Sequence, residues 1–237
     1  MTNTISVIIP VYNEERTISS IVEIVRTWGK AHEIIVVNDG STDKTDRALK
    51  QFADTITVVS RKINKGKGWS MAEGVRASSG ELVMFLDGDV VGLTHKDLDT
   101  MIAPVVGKKA DMVIAVTNCW NVKSFSPYDG INGERVLWRS SIIHRLKDFE
   151  RVGNGVEFVI NDIHKNKRVK TIKLPYVFIL SKVEKAAVPE AMKQYVVEAG
   201  QFLKAIVQIQ TNDLSPKTKR VFRITQSYIK QALEYLG

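Results

Sequence analysis

The stretch from Met84 to Gly92 reads MFLDGDVVG and places two aspartates, Asp87 and Asp89, directly after an apolar run. Neighbouring carboxylates repel each other, and each loses hydration free energy when it is buried. A bound Mg²⁺ or Mn²⁺ ion would relieve this repulsion, because these cations prefer oxygen ligands. The alternative is a solvated turn, since Asp-Gly pairs are common in turns. Taken alone, the motif favours the turn.

The apolar run before Asp87 is one of several short strand-like segments that alternate with helical patterns in the first half of the chain. Near-continuous apolar strands alternating with helices are typical of a mostly parallel sheet that is covered on both faces. The sequence therefore predicts an α/β fold with helices around residues 18–28, 48–52 and 68–75. The predicted strands are at residues 5–9, 33–37, 56–59, 81–86 and 111–116.

Polar clusters follow four of these predicted strands. In a parallel sheet the carboxyl ends of the strands meet at one edge, and ligands bind beyond that edge. We therefore expect the four clusters to gather there. They are PVYNEE (10–15), NDGSTD (38–43), NKGKG (64–68) and DGD (87–89). Each cluster could also be an ordinary turn, a helix cap or, around residues 61–76, a flexible basic surface loop.

The second half of the chain has mainly helical patterns. Apolar spacing predicts helices over residues 133–149 and 155–166, followed by an extended segment over residues 169–180 that Pro175 interrupts. From residue 188 onward we predict a C-terminal helical extension. Its last helix, over residues 215–237, combines an apolar stripe with basic residues.

The charge and composition of the chain limit its class. A net charge of +8 over 237 residues favours anionic partners such as nucleotide phosphates, nucleic acid or an anionic membrane face. The apolar runs are shorter than the ~18–20 residues of a spanning helix, and the N-terminus has no signal-peptide pattern. The single cysteine, Cys119, excludes an intrachain disulfide and favours a cytoplasmic location.

Taken together and in this order, the four clusters resemble the successive motifs of family 2 glycosyltransferases with the GT-A fold. The resemblance includes soluble bacterial members and the dolichol-phosphate-mannose-synthase-like group. It is close over residues 5–92 and looser to about residue 185. It is carried by the segments VIIPVYNEERTI, IIVVNDGSTDKT, NKGKGWSMAEG and FLDGDV.

The resemblance implies a domain organisation and a reaction. A GT-A catalytic domain would span residues 1–187, with a nucleotide-sugar half (1–116) and an acceptor half (117–187), and the helical extension (188–237) would follow. The implied activity is sugar transfer from a UDP- or GDP-linked donor in cell envelope biosynthesis, with Mg²⁺ or Mn²⁺ as cofactor and with inversion at the anomeric carbon.

Matching the motifs residue by residue gives the donor side of the site. The nucleotide pocket would involve Pro10, Tyr12 and Glu14, with Asp39 on the base. Lys65 and Lys67 would lie near the donor, and Asp87 would touch the ribose or the sugar. Asp89 would bind the metal as a catalytic residue. The motif here is D-G-D where D-A-D is commoner in the family, which is a mild departure.

On the acceptor side, GERVLWRS resembles a G-x-R-x-x-x-R element of the family. If residues 133–149 are helical, Arg135 and Arg139 share one face and could bind an acceptor phosphate; a solvated basic face is the alternative. The element around Glu157 resembles G-x-G-x-E and suggests Glu157 as the catalytic base, although it could equally be an acid at a helix N-terminus. His144 and His164 are expected to be surface or structural residues.

The nature of the acceptor follows from the missing Glu-Asp pair that supplies the base in many family members. A hydroxyl acceptor needs a general base, whereas a phosphate acceptor is already anionic. We therefore expect a phosphate-bearing acceptor such as a polyprenyl phosphate. Lys182 and Lys185 could approach the donor phosphates, although surface lysines are the simpler interpretation. The basic helix over residues 215–237 could contact a membrane peripherally, although packing on the catalytic domain or on another protomer is favoured.

Three other classes explain parts of the pattern. A sugar nucleotidyltransferase would need a glycine-rich basic loop after the first strand, where this chain has PVYNEE. A nucleic-acid-binding module would interleave aromatic residues with the basic patch, and only Trp69 lies within residues 61–76. No nucleic-acid partner is therefore expected. A non-catalytic relative that only binds nucleotide sugar stays open, as does a homo-oligomer.

Overall fold

The computed structural model of the chain describes residues 3–119 and 133–179. The predictions for Lys182, Lys185 and the helical extension over residues 188–237 lie outside these ranges. Within the described residues, none of the helices combines the length and the apolarity that crossing a bilayer requires.

One sheet of eight strands runs through the described part of the chain. Its strand order is β3-β2-β1-β4-β7-β6-β8-β5. The strands are β1 (Ile5–Val11), β2 (Glu33–Asp39), β3 (Thr57–Arg61), β4 (Leu82–Phe85), β5 (Val90–Val91), β6 (Met112–Cys119), β7 (Arg135–Trp138) and β8 (Val169–Ile179).

The sheet is parallel in its first half and mixed in its second. Strand β1 pairs in parallel with β2 and β4, and β2 pairs in parallel with β3, so the carboxyl ends of these four strands share one edge. Strand β7 lies antiparallel between β4 and β6, and β6 pairs in parallel with β8. The α/β prediction is confirmed. The boundary between the two predicted halves falls inside β6, and the strands on both sides of it belong to this one sheet.

Helices cover both faces of the sheet because each presents an apolar stripe to it. On one face α1 and α4 pack through residues such as Val22 and Met101, and on the other α3, α6 and α7 pack through residues such as Met71 and Phe149. The helices are α1 (Ile18–Trp28), α2 (Thr45–Lys50), α3 (Lys67–Ala77), α4 (His95–Val106), α5 (Arg139–Ile142), α6 (Leu146–Val152) and α7 (Val156–Ile163).

The predicted helix over residues 133–149 is wrong in its first part, because residues 135–138 form the interior strand β7. Val136 and Leu137 are 0% exposed and lie in the clusters on opposite faces of the sheet, which a strand allows because successive side chains alternate. The extended segment is confirmed as β8. Its pairing with β6 shifts from Thr117–Leu174 to Asn118–Phe178, so the interruption predicted at Pro175 is an irregularity within the strand.

Helix α4 was not among the elements that the sequence patterns predicted. It begins with a capping box, in which the Asp97 backbone N–H donates to Thr94 Oγ1 and the Thr94 backbone N–H donates to Asp97 Oδ2. Pro104 lies inside the helix. A proline inside a helix removes one backbone hydrogen bond and thereby destabilises the helix. The apolar packing of Leu98, Met101 and Val105 offsets this loss.

Candidate active site

The D-G-D turn lies at the carboxyl edge of the sheet, directly after the central strand β4. Thr17 Oγ1 donates a hydrogen bond of 2.6 Å to the carbonyl oxygen of Gly88. A Cβ at position 88 would lie 2.8 Å from Val11 Cγ1 and 3.1 Å from Glu14 Cγ, so the turn packs against the first polar cluster at a distance that requires glycine. Helix α1 and strand β1 thus fix the turn that carries Asp87 and Asp89.

The first and second polar clusters are joined by hydrogen bonds. The Asn13 backbone N–H donates to Ser41 Oγ (2.9 Å), and Asn13 Oδ1 accepts from the Thr42 backbone N–H (2.8 Å). The Glu14 backbone N–H donates to Thr45 Oγ1 (2.9 Å). Asn13 has a φ of +58°, a left-handed conformation that asparagine tolerates better than most residues. These bonds set the position of Glu14 relative to the end of β2.

Asp39 joins the second cluster to the third. Its Oδ1 accepts the backbone N–H of Lys65 (2.9 Å) and its Oδ2 accepts that of Gly66 (2.7 Å), while Arg61 Nε lies 3.3 Å from Oδ1. The Arg61 guanidinium and the Lys65 ammonium lie 3.6 Å and 4.4 Å from the centroid of the Trp69 ring. Asp39 therefore holds the basic loop onto the sheet edge, and its contact with a nucleobase stays a prediction.

Lys67, the first residue of α3, joins the third cluster to the fourth. Its Nζ lies 2.7 Å from Asp87 Oδ1 and 2.9 Å from Asp87 Oδ2. The same Nζ lies 2.8 Å from Glu157 Oε1. Although burial opposes a charged ammonium, the carboxylates of Asp87 and Glu157 outweigh it and raise the pKa of Lys67. The expectation that the four clusters meet at one edge is confirmed, and Glu157 joins them from the second half of the chain.

The sequence analysis assigned no site role to Gly133, the first residue of the G-x-R-x-x-x-R element, or to Glu134, the residue after it. A Cβ at position 133 would lie 2.2 Å from Asp87 Oδ2, so the backbone of residue 133 directly abuts this carboxylate. Glu134 is 0% exposed, and neither of its carboxylate oxygens has a hydrogen-bond partner within residues 3–119 and 133–179. Burial together with the nearby Asp87 carboxylate raises the pKa of Glu134 from 4.5 to about 8. If the short apolar run over residues 135–138 had been predicted as a strand, Glu134 would have been expected at this edge of the sheet.

Arg135 and Arg139 are not on one helix face. Arg135 lies in strand β7, is 0% exposed and donates from Nη1 to Asn161 Oδ1 (2.7 Å). Burial lowers its pKa to about 10 despite the nearby carboxylates of Glu157 and Glu134. Arg139 Nε donates to Ser78 Oγ (3.1 Å) at the end of α3. The surface that suggested a phosphate clamp is therefore absent, and an acceptor role for these arginines stays a prediction without geometric support.

The other predicted residues fall into two groups. Pro10 is buried near the end of β1, and Tyr12 just beyond it is 42% exposed at the same edge. The two histidines are surface and structural residues, as expected. His144 is exposed, and His164 is 1% exposed, with its ring nitrogens bonded to the Ile160 carbonyl oxygen and to Ser141 Oγ.

The donor atoms at this edge suit a divalent cation that is shared with a ligand. Asp87, Glu134 and Glu157 act electrostatically on Lys67 or Arg135, and Asp89 acts on Glu134. These four carboxylates and two cationic side chains carry two net negative charges when all are ionised. Among the described residues no three acidic, histidine or cysteine side chains form a complete metal site. Mg²⁺ fits such a place, because it commonly binds through one or two carboxylates plus substrate phosphates. Asp89 is the residue that would hold it.

The raised pKa of Glu134 makes the stability of the cation-free protein depend on pH. The folded state binds this proton more tightly than the unfolded state, so the stabilising contribution of Glu134 is fully present below pH 4.5 and is lost as the pH rises to about 8. Glu134→Gln should remove this loss, which is of the order of 5 kcal/mol. In thermal unfolding with EDTA, we expect the variant to gain in Tm over the wild type at pH 9 and not at pH 5. An equal difference at both values would contradict the prediction.

The fold defined by this sheet and its flanking helices is the GT-A fold. The solved structure of glucosyl-3-phosphoglycerate synthase from Mycobacterium tuberculosis, in complex with Mn²⁺, UDP and phosphoglyceric acid, superimposes with a TM-score of 0.69. The two sequences are 20% identical, and the match covers 87% of this chain and 78% of the other. At this identity the likeness concerns the fold alone.

The family model of glycosyl transferase family 2 matches residues 6–162, and the chain belongs to this family. Glucosyl-3-phosphoglycerate synthase of Mycobacterium tuberculosis is 36% identical over 97 residues, which are 37% of this chain and 29% of that protein. A dolichyl-phosphate beta-glucosyltransferase of Trichomonas vaginalis is 32% identical over 97 residues, 36% of this chain and 30% of that protein. The chain thus spans less than a third of the length of these two relatives.

Proposed function

We propose that the chain is a glycosyltransferase that moves a sugar from a nucleoside-diphosphate sugar to an acceptor and that requires Mg²⁺ or Mn²⁺. The observation that carries the proposal is the meeting of the four polar clusters at the end of β4. The D-G-D turn packs against the first cluster and is ion-paired with the third, and hydrogen bonds join the second cluster to the first and to the third. Membership of family 2 supports the reaction class. UDP and Mn²⁺ in the solved neighbour support a UDP-linked donor, with a GDP-linked donor as the alternative.

In this proposal the chain's own residues bind and orient the donor. The nucleoside lies against Pro10, Tyr12 and Glu14, and the sugar or the ribose meets Asp87. Asp89 holds the cation, whose chemical contribution is to neutralise negative charge on the departing diphosphate. Lys65, which is exposed beside Trp69, adds positive charge at the same edge.

The proposed acceptor carries a phosphate. The net charge of +8 favours an anionic acceptor, and the two relatives are named for a phosphorylated product and for a lipid phosphate. A phosphate-bearing acceptor can attack the anomeric carbon in two ways. A lipid phosphate attacks through its own anionic oxygen, whereas a hydroxyl acceptor needs a base, for which Glu157 is the candidate. With a hydroxyl nucleophile, Glu157→Gln should lower kcat about a hundred-fold or more, because the base is lost. With a phosphate nucleophile it should lower kcat much less, because no base is needed.

Stereochemistry and location extend the proposal. Attack on the anomeric carbon from the side opposite the diphosphate would invert its configuration, which NMR of the product can determine. A cytoplasmic location is also proposed, with peripheral membrane contact through residues 215–237 as the alternative to packing of these residues on the catalytic domain or on another protomer. Liposome sedimentation with and without these residues tests the contact, and equal, salt-insensitive recovery in the supernatant would contradict it.

A donor screen tests the proposed function. The protein would be incubated with UDP-glucose, UDP-galactose, UDP-N-acetylglucosamine and GDP-mannose, with Mn²⁺, Mg²⁺ or EDTA. We expect release of the nucleoside diphosphate from at least one donor, with the release abolished by EDTA. Binding without turnover under every acceptor condition would indicate a non-catalytic relative, and no binding or hydrolysis across the panel would contradict the proposal.

A further inference from the structure

Lys67 lies between two carboxylates. Its Nζ is 2.7 Å from Asp87 Oδ1 and 2.9 Å from Asp87 Oδ2, which share one N–H, and 2.8 Å from Glu157 Oε1, which accepts a second. One ammonium between two carboxylates forms a group with a net negative charge when all three are ionised. Such a group disfavours direct contact with an anionic diphosphate. This arrangement differs from the donor-contacting role that the motif suggested.

The ion pairs of Lys67 with Asp87 and Glu157, together called the bridge, join parts of the chain that no sheet pairing connects directly. Lys67 begins α3, Asp87 follows β4, and Glu157 lies in the first turn of α7. Only about a fifth of the Lys67 and Asp87 side chains is exposed, and 3% of the Glu157 side chain. Removing one partner from such a buried group leaves an uncompensated charge, which is far less favourable than the intact arrangement. The two carboxylates would then also repel each other.

The second carboxylate oxygen of Glu157 can accept a hydrogen bond from a ligand. The backbone at Gly133 blocks the other side of Asp87, since a Cβ there would lie within 2.5 Å of both carboxylate oxygens. Glu157 Oε2 is buried and has no hydrogen-bond partner within the described residues. A buried polar atom without a partner calls for an explanation such as a bound ligand. The bridge thus fixes the orientation of Asp87 and of Glu157 and leaves Glu157 Oε2 as an acceptor for a ligand hydroxyl.

We propose that Lys67 is a positioning residue that holds Asp87 and Glu157 in one fixed arrangement, with Glu157 Oε2 directed at a hydroxyl of the bound substrates. This inference rests on the proposed function and deepens it by assigning the residue that ties the donor side of the site to α7. Lys67 acts through the two carboxylates and does not contribute to nucleoside diphosphate binding.

Three variants test the proposal through kinetics. Lys67→Met removes the charge at similar length, Lys67→Arg keeps it, and Lys62→Met alters an exposed lysine outside the site as a control. We expect Lys67→Met to lower kcat at least a hundred-fold while the donor KM and the Kd of UDP with Mn²⁺ change less than about three-fold. Lys67→Arg should recover at least ten-fold of the lost kcat, and Lys62→Met should match the wild type. A thirty-fold weaker UDP affinity in Lys67→Met, or an unchanged kcat, would overturn the proposal.

A second measurement tests the bridge without relying on turnover, so that a failure of the proposed function is distinguishable from a failure of this inference. We expect Lys67→Met to lower the Tm by about 5 °C or more at pH 8, because Glu157 is left buried and charged. Adding Glu157→Gln should restore at least half of that loss. Strictly additive changes in Tm would show that the two residues are not coupled and would overturn the proposal even if the donor screen succeeds. If no donor is turned over but the coupling is present, the proposed function fails and the bridge stands.

Discussion

Asp89→Ala should lower sugar transfer by about a thousand-fold or more, the largest loss that we expect from any single substitution. Asp89 is the residue of the D-G-D turn assigned to the divalent cation, and the turn is fixed by Thr17 and by the packing of Gly88. Removing its carboxylate leaves charge on the departing diphosphate without the cation that neutralises it. Release of nucleoside diphosphate from the preferred donor, measured over a range of Mn²⁺ concentrations, gives the effect.

A matched variant shows whether the loss is specific to the turn. Asp54→Ala removes an exposed carboxylate after helix α2, far along the chain from the turn, and should leave turnover and its Mn²⁺ dependence unchanged. Asp89→Ala should keep a Tm close to that of the wild type, because its side chain is not part of either apolar cluster. If Asp89→Ala turned over the donor at the wild-type rate, the metal assignment would be wrong.

Gly133→Ala should lower kcat by about a hundred-fold, although it adds a single methyl group. The new Cβ would lie 2.2 Å from Asp87 Oδ2 and 2.4 Å from Oδ1, so the carboxylate must move away from its position beside Lys67. A displacement of about 1 Å in a site that depends on orientation can cost about a hundred-fold in rate. The measurement is steady-state kinetics of the variant, with its Tm recorded to show that it folds.

Asp87 provides the control for this prediction. Because the methyl group acts through Asp87, the double variant Gly133→Ala/Asp87→Ala should be no slower than Asp87→Ala alone. Independent effects would instead multiply. A wild-type kcat for Gly133→Ala, or multiplicative effects in the double variant, would show that position 133 does not control the carboxylate.

The parallel half of the sheet and the location of the site could be predicted because their signals are local. Each strand from β1 to β4 is a short apolar run, and each is followed by a polar cluster. The rule that ligands bind at the carboxyl ends of parallel strands then brings the clusters together without knowledge of any particular contact. The hydrogen bonds of Asn13 and Asp39 and the ion pair of Lys67 confirm this meeting.

Strand β7 could not be predicted in the same way, because its pairing partners are distant in sequence. Phe85 pairs with Arg135 and Val113 pairs with Val136. The spacing of apolar residues within one segment does not indicate such long-range pairings. That spacing also fits a helix, since short apolar runs are ambiguous between the two. Because of this error, Arg135 was predicted on a surface although it is buried, and no role was predicted for Glu134, which is buried beside the D-G-D turn.

The ion pairs of the site were beyond sequence analysis for another reason. Motifs identify residue types at positions, whereas the partner of a charged side chain depends on how helices pack onto the sheet. Lys67 was expected near the donor, and the packing of α3 and α7 places its ammonium between Asp87 and Glu157. Asp39 likewise binds the backbone of residues 65 and 66, a contact that depends on the path of the loop.

Calorimetric titration of UDP into the cation-free protein, with and without Mn²⁺, tests the central claim most directly, because it needs neither the donor sugar nor the acceptor. We predict binding with a Kd in the micromolar range in the presence of Mn²⁺, at least ten-fold weaker binding in EDTA, and no effect of Mn²⁺ in Asp89→Ala. GDP titrated in the same way covers the alternative donor. Affinity for neither nucleotide, or equal affinity with Mn²⁺ and with EDTA, would contradict a cation-assisted nucleotide-sugar site at the D-G-D turn.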